Sequence, residues 1–161
     1  MAVSPVVFHL VIRSTIVIDA SASVVWQYLE RPRDWKPSIV SLEHLAGEPG
    51  QVGETLRLGQ RPGDETVYVR MQTLQAEPAV RRVQTLTTEA DSSIDGFVMY
   101  ALTAVGNGTH LACDVVARCT LPNEALSGRS VSDFAQTVNE ATAAKLDADH
   151  RALKALIEQW G

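Results

Sequence analysis

The fold is decided by the last stretch of the chain, Ser130–Gly161, which reads SVSDFAQTVNEATAAKLDADHRALKALIEQWG. No glycine or proline interrupts it between Ser130 and Trp160, so the sequence predicts one helix about 40 Å long. At 100° per residue, one side gathers the mostly apolar side chains Val131, Ala135, Val138, Thr142, Leu146, Leu153, Leu156, Ile157 and Trp160. A helix of this length needs an equally long apolar surface to lie on.

The residues before this helix are predicted to build that surface from strands. Phe8–Ile18 alternates between apolar and polar side chains and predicts a first strand with the Phe8 face inward. Asp19-Ala20-Ser21 can cap a short helix over Ala22–Leu29, and Arg31–Ser38 is a loop or a second short helical turn. Six further strands are predicted over Ile39–Leu45, Thr55–Gln60, Glu65–Leu74, Val83–Glu89, Phe97–Val105 and His110–Leu121.

Two hairpin turns predict which side chains lie opposite each other. Arg61-Pro62-Gly63-Asp64 has the Pro-Gly order of a type II turn, and Gly106-Asn107-Gly108-Thr109 carries the Asn-Gly hairpin signal. Closing the first turn with two residues and the second with four predicts the inward pairs Leu58–Val67, Leu56–Val69, Leu102–Cys113 and Tyr100–Val115. One apolar and one polar face in each hairpin indicate a sheet covered on one side.

Length and composition predict one domain over residues 1–161. The chain is 45% hydrophobic and 20% charged, with a net charge of −5. Its positive charges are scattered apart from Arg81-Arg82, which argues against partners made of nucleic acid and against binding to an anionic membrane surface. The first residues lack the pattern of a signal peptide, and no segment has 18 continuous apolar residues. These features predict a cytoplasmic protein.

The two cysteines are predicted to be free thiols. Cys113 and Cys119 lie six residues apart on one predicted strand, which separates them by about 20 Å. They cannot bridge each other without breaking that strand, and free thiols suit a reducing cytoplasm.

Several motifs, taken in their order along the chain, resemble the START-like superfamily of polyketide cyclase/dehydrase-type proteins. They are Ile18-Asp19-Ala20-Ser21, Val25-Trp26, Asp34-Trp35, Glu77-Pro78 followed by Arg81-Arg82-Val83, the Gly106 hairpin, and Leu146–Lys154. The resemblance implies an α+β helix-grip fold, in which a curved antiparallel sheet of about six to seven strands wraps around the long C-terminal helix. It also implies two short helices after strand one and a cavity between sheet and helix. Such cavities hold lipids, sterols, polyketides and plant hormones in different branches, with no shared catalytic set, so no catalytic residue is carried over to this chain.

The side chains predicted to line that cavity come from the inward faces of the strands and helix. They are Trp35, Leu56, Leu58, Val69, Met71, Thr85, Tyr100, Leu102, Cys113, Val115, Val138, Thr142, Lys145 and Asp149. The Tyr100 hydroxyl needs a partner if it is buried, which a ligand oxygen, a water or the backbone could supply. Lys145 and Asp149 either face the cavity as a pair that binds a polar ligand group, or form an ordinary surface pair on its rim.

No metal or cofactor is predicted. The four histidines, His9, His44, His110 and His150, are widely spaced, and His110 is assigned to the outer face. The sequence has no Walker loop, no Gly-x-Gly-x-x-Gly and no Gly-x-Ser-x-Gly. Cys113 would need a neighbouring base to act as a nucleophile, and the sequence supplies none.

Three functions follow from this interpretation, and whether any reaction is catalysed is left open. The first is the binding of a small, mostly hydrophobic organic ligand in the cavity, which a nearly all-aliphatic interior favours. The second is a polyketide cyclase or aromatase that uses the same cavity. The third is a co-chaperone-like interaction module without a ligand. A homodimer is an open alternative to the monomer.

Overall fold

Seven antiparallel strands form one curved sheet in the computed structural model, which describes residues 4–61, 63–90 and 93–160. The strands are β1 (Val6–Ile18), β2 (Ile39–Ala46), β3 (Thr55–Gln60), β4 (Val67–Glu77), β5 (Arg81–Thr88), β6 (Ile94–Val105) and β7 (Gly108–Leu121). Their order across the sheet is β1-β7-β6-β5-β4-β3-β2. The helices are α1 (Ala22–Leu29) and α2 (Val131–Trp160), with single 3₁₀ turns at Pro32–Asp34 and Asn123–Leu126. The predicted helix-grip architecture is confirmed.

The first strand and helix form where the local sequence predicts them. Along β1 buried and exposed side chains alternate from Val6, and the Phe8 face is inward. Ser21 caps α1, since its side-chain oxygen accepts a hydrogen bond from the Val24 backbone N–H at 3.4 Å. α1 turns Val25, Trp26 and Leu29 into the core, so it covers one end of the sheet.

Both predicted hairpin registers are wrong by two residues. Tyr100 lies opposite Cys113, and Leu102 lies opposite Leu111. Gly106 takes a left-handed φ of 55°, and the turn consists of two residues, Gly106 and Asn107, instead of the predicted four. The displacement by two keeps every side chain on its predicted face, because side chains alternate with a period of two.

In the β3–β4 hairpin, Leu58 lies opposite Val69 and Leu56 opposite Met71. The Arg61 backbone N–H donates a hydrogen bond to the Ser38 carbonyl at 2.9 Å. The loop therefore begins at Arg61 and is longer than predicted. Pro62, and with it part of the predicted type II turn, lies outside the described residues. Val67 was predicted to lie inward, but it stands at the strand end and is 41% exposed.

The two halves of α2 are packed differently. Leu146, Leu153 and Ile157 are buried, whereas no residue between Val131 and Lys145 is fully buried. The predicted apolar side of the helix is not buried at either end. Val131 and Trp160 are exposed because they lie beyond the filled part of the core, Trp160 to 73%. The helix therefore packs into the core through its C-terminal half.

Side chains of α2 also satisfy the free edge of β1. Asn139 accepts a hydrogen bond from the Val11 N–H at 2.9 Å and donates to the His9 carbonyl at 3.0 Å. Lys154 donates to the Val17 carbonyl at 2.8 Å. An uncovered edge strand is a template for unwanted pairing, so these contacts both anchor the helix and protect the sheet.

Two further features concern the cysteines and the membrane. Cys113 and Cys119 are free and buried, which confirms the predicted thiols. Within the described residues, no helix is long and apolar enough to cross a membrane.

We expect Asn139→Ala to lower the free energy of unfolding by about 1–2 kcal/mol, because it removes two hydrogen bonds to the β1 edge. Gln136→Ala is the matched control, since Gln136 only donates to Glu140 on the exposed side of the same helix. The control should change stability by less than about 0.5 kcal/mol. Urea unfolding of the three proteins measures the difference, and equal stability of both variants would contradict this role for Asn139.

Candidate functional site

A cavity of about 710 Å³ lies between the inner face of the sheet and the N-terminal half of α2. That half of the helix has no fully buried residue and is held at the β1 edge through Asn139, whereas the other half packs its buried side chains into the core. Most of its wall is apolar and comes from β1, β3, β4, β6, β7 and α2, with Phe8, Leu10, Leu56, Leu58, Val69, Met71, Val98, Val115, Phe134, Val138 and Leu146. Phe8 and Phe134 meet edge to face, with ring centroids 5.6 Å apart.

Polar and charged side chains gather where α1, the Pro32–Asp34 turn and the β2–β3 loop meet the sheet. They are Glu30, Arg31, Lys36, Glu54, Arg82, Gln84, Tyr100, Lys145 and Asp149, all of which line the cavity. Ser14 and Tyr100 are both paired with Cys113 across the sheet, at the same level along the strands. Phe8 precedes Ser14 by six residues on β1, which places it about 20 Å away along the strand. The cavity thus has a charged end and, at the level of Phe8, a largely apolar end that also carries the side chains of Thr88 and Ser93.

Arg82 lies at the charged end. Its guanidinium donates to the Leu29 carbonyl at 3.3 Å and lies between the rings of Trp26 and Tyr100, with its Cζ 5.7 and 5.6 Å from their centroids. Its Nε is buried and has no hydrogen-bond partner among the described residues. Burial lowers the pKa of Arg82, opposed by Tyr100 and Glu30. A buried donor without a partner is costly, and because this nitrogen is shielded it offers no contact to a molecule in the cavity, whose wall Arg82 lines with the rest of its side chain.

Lys36 supplies a second cation. Its Nζ lies 4.9 Å from the centroid of the Trp35 ring, and it forms no ion pair with the described residues. Burial lowers the pKa of the Lys36 ammonium, and the neighbouring charge of Asp149 opposes that shift. Asp149 itself is buried at the cavity wall. A half-buried ammonium that lines the cavity without an ion pair among the described residues can bind a carbonyl or carboxylate oxygen.

Behind Tyr100 lies a buried histidine. His150 Nε2 is 3.4 Å from the Tyr100 hydroxyl oxygen, and His150 Nδ1 is 2.9 Å from Ser14 Oγ. Ser14 Oγ in turn donates to Asp147 Oδ1 at 2.5 Å. Burial and the charge of Lys36 lower the pKa of His150 to about 4, against a smaller opposing effect of Asp147, so the imidazole is neutral at pH 7.

Eleven of the fourteen residues predicted for the site line this cavity. They are Trp35, Leu56, Leu58, Val69, Met71, Tyr100, Val115, Val138, Thr142, Lys145 and Asp149. Lys145 and Asp149 do not form an ion pair, because the Lys145 ammonium donates to Ser38 Oγ at 3.1 Å at the mouth of the cavity. Both sequence-based alternatives for the pair therefore need correction, since the two side chains line the cavity separately.

Three predicted site residues do not line it. Thr85 belongs to the outer face because its neighbours Gln84 and Leu86 face the cavity, and its hydroxyl accepts from the Gln72 N–H at 2.9 Å. Leu102 and Cys113 point inward, but into the filled part of the core. Burial also raises the pKa of Cys113 to about 11, so this thiol is protonated and poorly suited to act as a nucleophile.

The expectation of a nearly all-aliphatic interior is wrong. Lys36 and Arg82 were missed because one lies in an irregular segment and the other in a doublet whose members face opposite sides of β5. His150 was missed because no metal-ligand spacing accompanies it, although it sits on the buried side of α2 next to Asp149. The Arg81-Arg82 doublet on an alternating strand was the signal available, since one of its two arginines must face inward.

Comparison with known proteins assigns this chain to a family. The family described as polyketide cyclase / dehydrase and lipid transport matches residues 9–158. No curated protein matches the chain.

Solved structures of similar shape cover nearly the whole chain. A START superfamily protein from Mycobacterium smegmatis is 18% identical with a TM-score of 0.73, covering 96% of this chain and 100% of that one. The aromatase/cyclase Zhui from Streptomyces sp. R1128 is 19% identical with a TM-score of 0.68, covering 96% and 95%. The di-domain ARO/CYC StfQ from the steffimycin biosynthetic pathway is 15% identical with a TM-score of 0.75, covering 94% of this chain and 51% of that one. At these identities the likeness is one of fold.

We expect the neutral burial of His150 to make the protein sensitive to mild acid. As the pH falls from 6.5 to about 4, unfolded chains take up a proton on this imidazole that the folded protein does not. Wild-type protein should therefore lose about 3 kcal/mol of stability over that range relative to His150→Gln. Urea unfolding at a series of pH values measures this, with the exposed-face variant His9→Gln as the matched control. Parallel pH profiles for wild type and His150→Gln would contradict it.

Proposed function

The chain belongs to the polyketide cyclase/dehydrase and lipid transport family, and from that premise we propose that it binds a small, mostly hydrophobic organic molecule in the cavity under α2. The observation that carries this proposal is the cavity itself, about 710 Å³ with a largely apolar wall. A volume of this order is typical of ligand sites. Unfilled apolar space lowers stability, so a chain that keeps it gains from a ligand that occupies it.

The ligand is amphipathic in this proposal. Its apolar body lies toward Phe8, Phe134 and Val138, where aliphatic and aromatic side chains form the wall. Its polar end carries a carbonyl, carboxylate or hydroxyl oxygen and lies toward Lys36 and Arg82. The positive charges of Lys36 and Arg82, which both line the cavity, support this orientation, because a ligand oxygen beside them gains charge-assisted interactions.

A cyclase-type enzyme is the second candidate, and one observation favours it. Tyr100 lines the cavity and is backed by a neutral histidine, an arrangement that can move a proton to or from a bound molecule. Two structures of the same fold are called aromatase/cyclase or ARO/CYC proteins, which makes that chemistry compatible with the fold. The ligand-free interaction module is disfavoured, because its core would have no reason to keep an open volume.

We expect Val138→Trp to weaken binding of 2-methylnaphthalene by about tenfold or more, the equivalent of about 1.4 kcal/mol. Val138 lines the cavity, so the indole would occupy the space of the probe and cost little stability. Leu153→Trp is the contrasting control, since Leu153 is fully buried in the filled core and overpacking there costs about 1–3 kcal/mol. Fluorescence titration and urea unfolding provide the two readouts. No binding by wild-type protein, or equal binding by Val138→Trp, would refute a ligand cavity at this place.

We expect Lys36→Met to weaken binding of 2-naphthoate by about tenfold to a hundredfold, because a charge-assisted hydrogen bond is lost. Binding of 2-methylnaphthalene, which has the same rings and no carboxylate, should change little. Arg118→Met is the matched control, since it removes a cation from the exposed side of β7. Calorimetric titration of both probes measures the split. An equal effect on both probes would show that Lys36 shapes the wall without recognising the polar group.

A further inference from the structure

The outer face of the sheet, opposite the cavity, carries a row of exposed apolar side chains. Val11, Val116 and Phe97 lie side by side across β1, β7 and β6, and they are 71%, 40% and 44% exposed. These three side chains form the outer row. The solvent face of an antiparallel sheet is normally polar, and contiguous apolar side chains exposed on such a face mark a contact surface.

Two charged side chains flank the centre of the outer row at equal distances. Asp114 and Arg118 stand two residues before and two residues after Val116 on β7, which places each of them about 7 Å from it on the same face. Arg13 Nε lies 3.8 Å from Asp114 Oδ1, and a carboxylate has lone pairs for a second cation. Arg118 is exposed and forms no ion pair within the part of the chain that the structure describes.

This pattern of charges is complementary to itself. If two copies of the outer face meet about a two-fold axis that runs along the outer row, each β7 position before Val116 faces the position equally far after it on the second copy. Asp114 of each copy then faces Arg118 of the other. An axis parallel to the strands would instead bring Asp114 against Asp114 and Arg118 against Arg118, which like-charge repulsion disfavours. The charges therefore select the first orientation.

We propose that the protein forms a weak homodimer through this face, with the outer rows of two copies packed together between two Asp114–Arg118 ion pairs. The four strands β1, β7, β6 and β5, spaced by about 4.8 Å and used over about 27 Å of their length, give a footprint of roughly 500 Å² per copy. The total of roughly 1,000 Å² lies at the low end of specific interfaces. The dimer is therefore expected to dissociate in the micromolar range.

The dimer does not depend on the ligand site. The cavity lies between the inner face of the sheet and α2, so the two cavities of a dimer face away from the interface and both stay accessible. The contact also covers apolar surface next to β1, which is an edge strand of the sheet. Covering that surface reduces the exposure of the edge to unwanted contacts.

The first experiment measures self-association by sedimentation equilibrium from about 5 to 500 μM protein. The mass of wild-type protein should rise from monomer toward dimer. Val116→Lys should remain monomeric, because two ammonium groups would meet at the two-fold axis. Val105→Lys is the matched control, since Val105 is 49% exposed on the same face of β6 but about 27 Å along the strand from Phe97. It should dimerise as wild-type protein does.

Two outcomes of this experiment would overturn the proposal. One is wild-type protein that remains monomeric at about 500 μM. The other is a Val116→Lys variant that associates as strongly as Val105→Lys, because the outer row would then lie outside the interface.

The second experiment tests the orientation by exchanging charges. Asp114→Arg and Arg118→Asp should each weaken association by about tenfold or more, because like charges then meet at both contacts of a homodimer. An equimolar mixture of the two variants should recover the association as a heterodimer, since each contact then joins an arginine to an aspartate. Circular dichroism verifies that each variant is folded, and sedimentation of the mixture measures the heterodimer.

Salt provides an independent readout, because exposed ion pairs are screened. Raising the salt concentration from about 50 to 500 mM should weaken the wild-type dimer. A mixture of the two folded variants that stays monomeric would contradict the Asp114–Arg118 contacts. Single variants that associate as strongly as wild-type protein would show that the copies meet through a different surface, which would also overturn the proposal.

Discussion

The structure depends on how α2 packs against the sheet. Its C-terminal half packs against the sheet through Leu153 and Ile157, which are fully buried, and Asn139 and Lys154 tie it to the free edge of β1. The N-terminal half of this 30-residue helix is held at the β1 edge by Asn139 and has no fully buried residue. The cavity lies between this half and the inner face of the sheet.

The charged end of this cavity arises because irregular segments meet there. Lys36 follows a 3₁₀ turn, and Arg82 donates a hydrogen bond to the carbonyl of Leu29 at the end of α1. Asp149 comes from the C-terminal half of α2. Regular strands supply the apolar end, because alternation sorts their side chains by face. One fold thus yields a largely apolar chamber with cations and a tyrosine at one end, the combination that an amphipathic, oxygen-bearing ligand requires.

The sequence predicted the elements well because their signals are local. The long helix, the Ser21 cap and the inward faces of the two hairpins survive although the hairpin registers are wrong by two residues, since that error conserves the face of every side chain. The face of β5 was predicted wrongly, since Thr85 lies on the outer side. The interior chemistry was predicted less well. Lys36 enters the cavity from a segment without periodicity, and the contacts of His150 with Ser14 join positions 136 residues apart, which no local pattern encodes.

The central claim is that the cavity holds an amphipathic ligand with its polar end toward Lys36 and Arg82. A crystal structure of the protein soaked with 2-naphthoate tests it most directly. The account predicts the naphthalene rings between the sheet and the N-terminal half of α2, with a carboxylate oxygen within hydrogen-bond distance of Lys36 Nζ or of the Arg82 guanidinium. A naphthoate bound on the outer face of the sheet, or one whose carboxylate points toward Phe8 and Phe134, would contradict it.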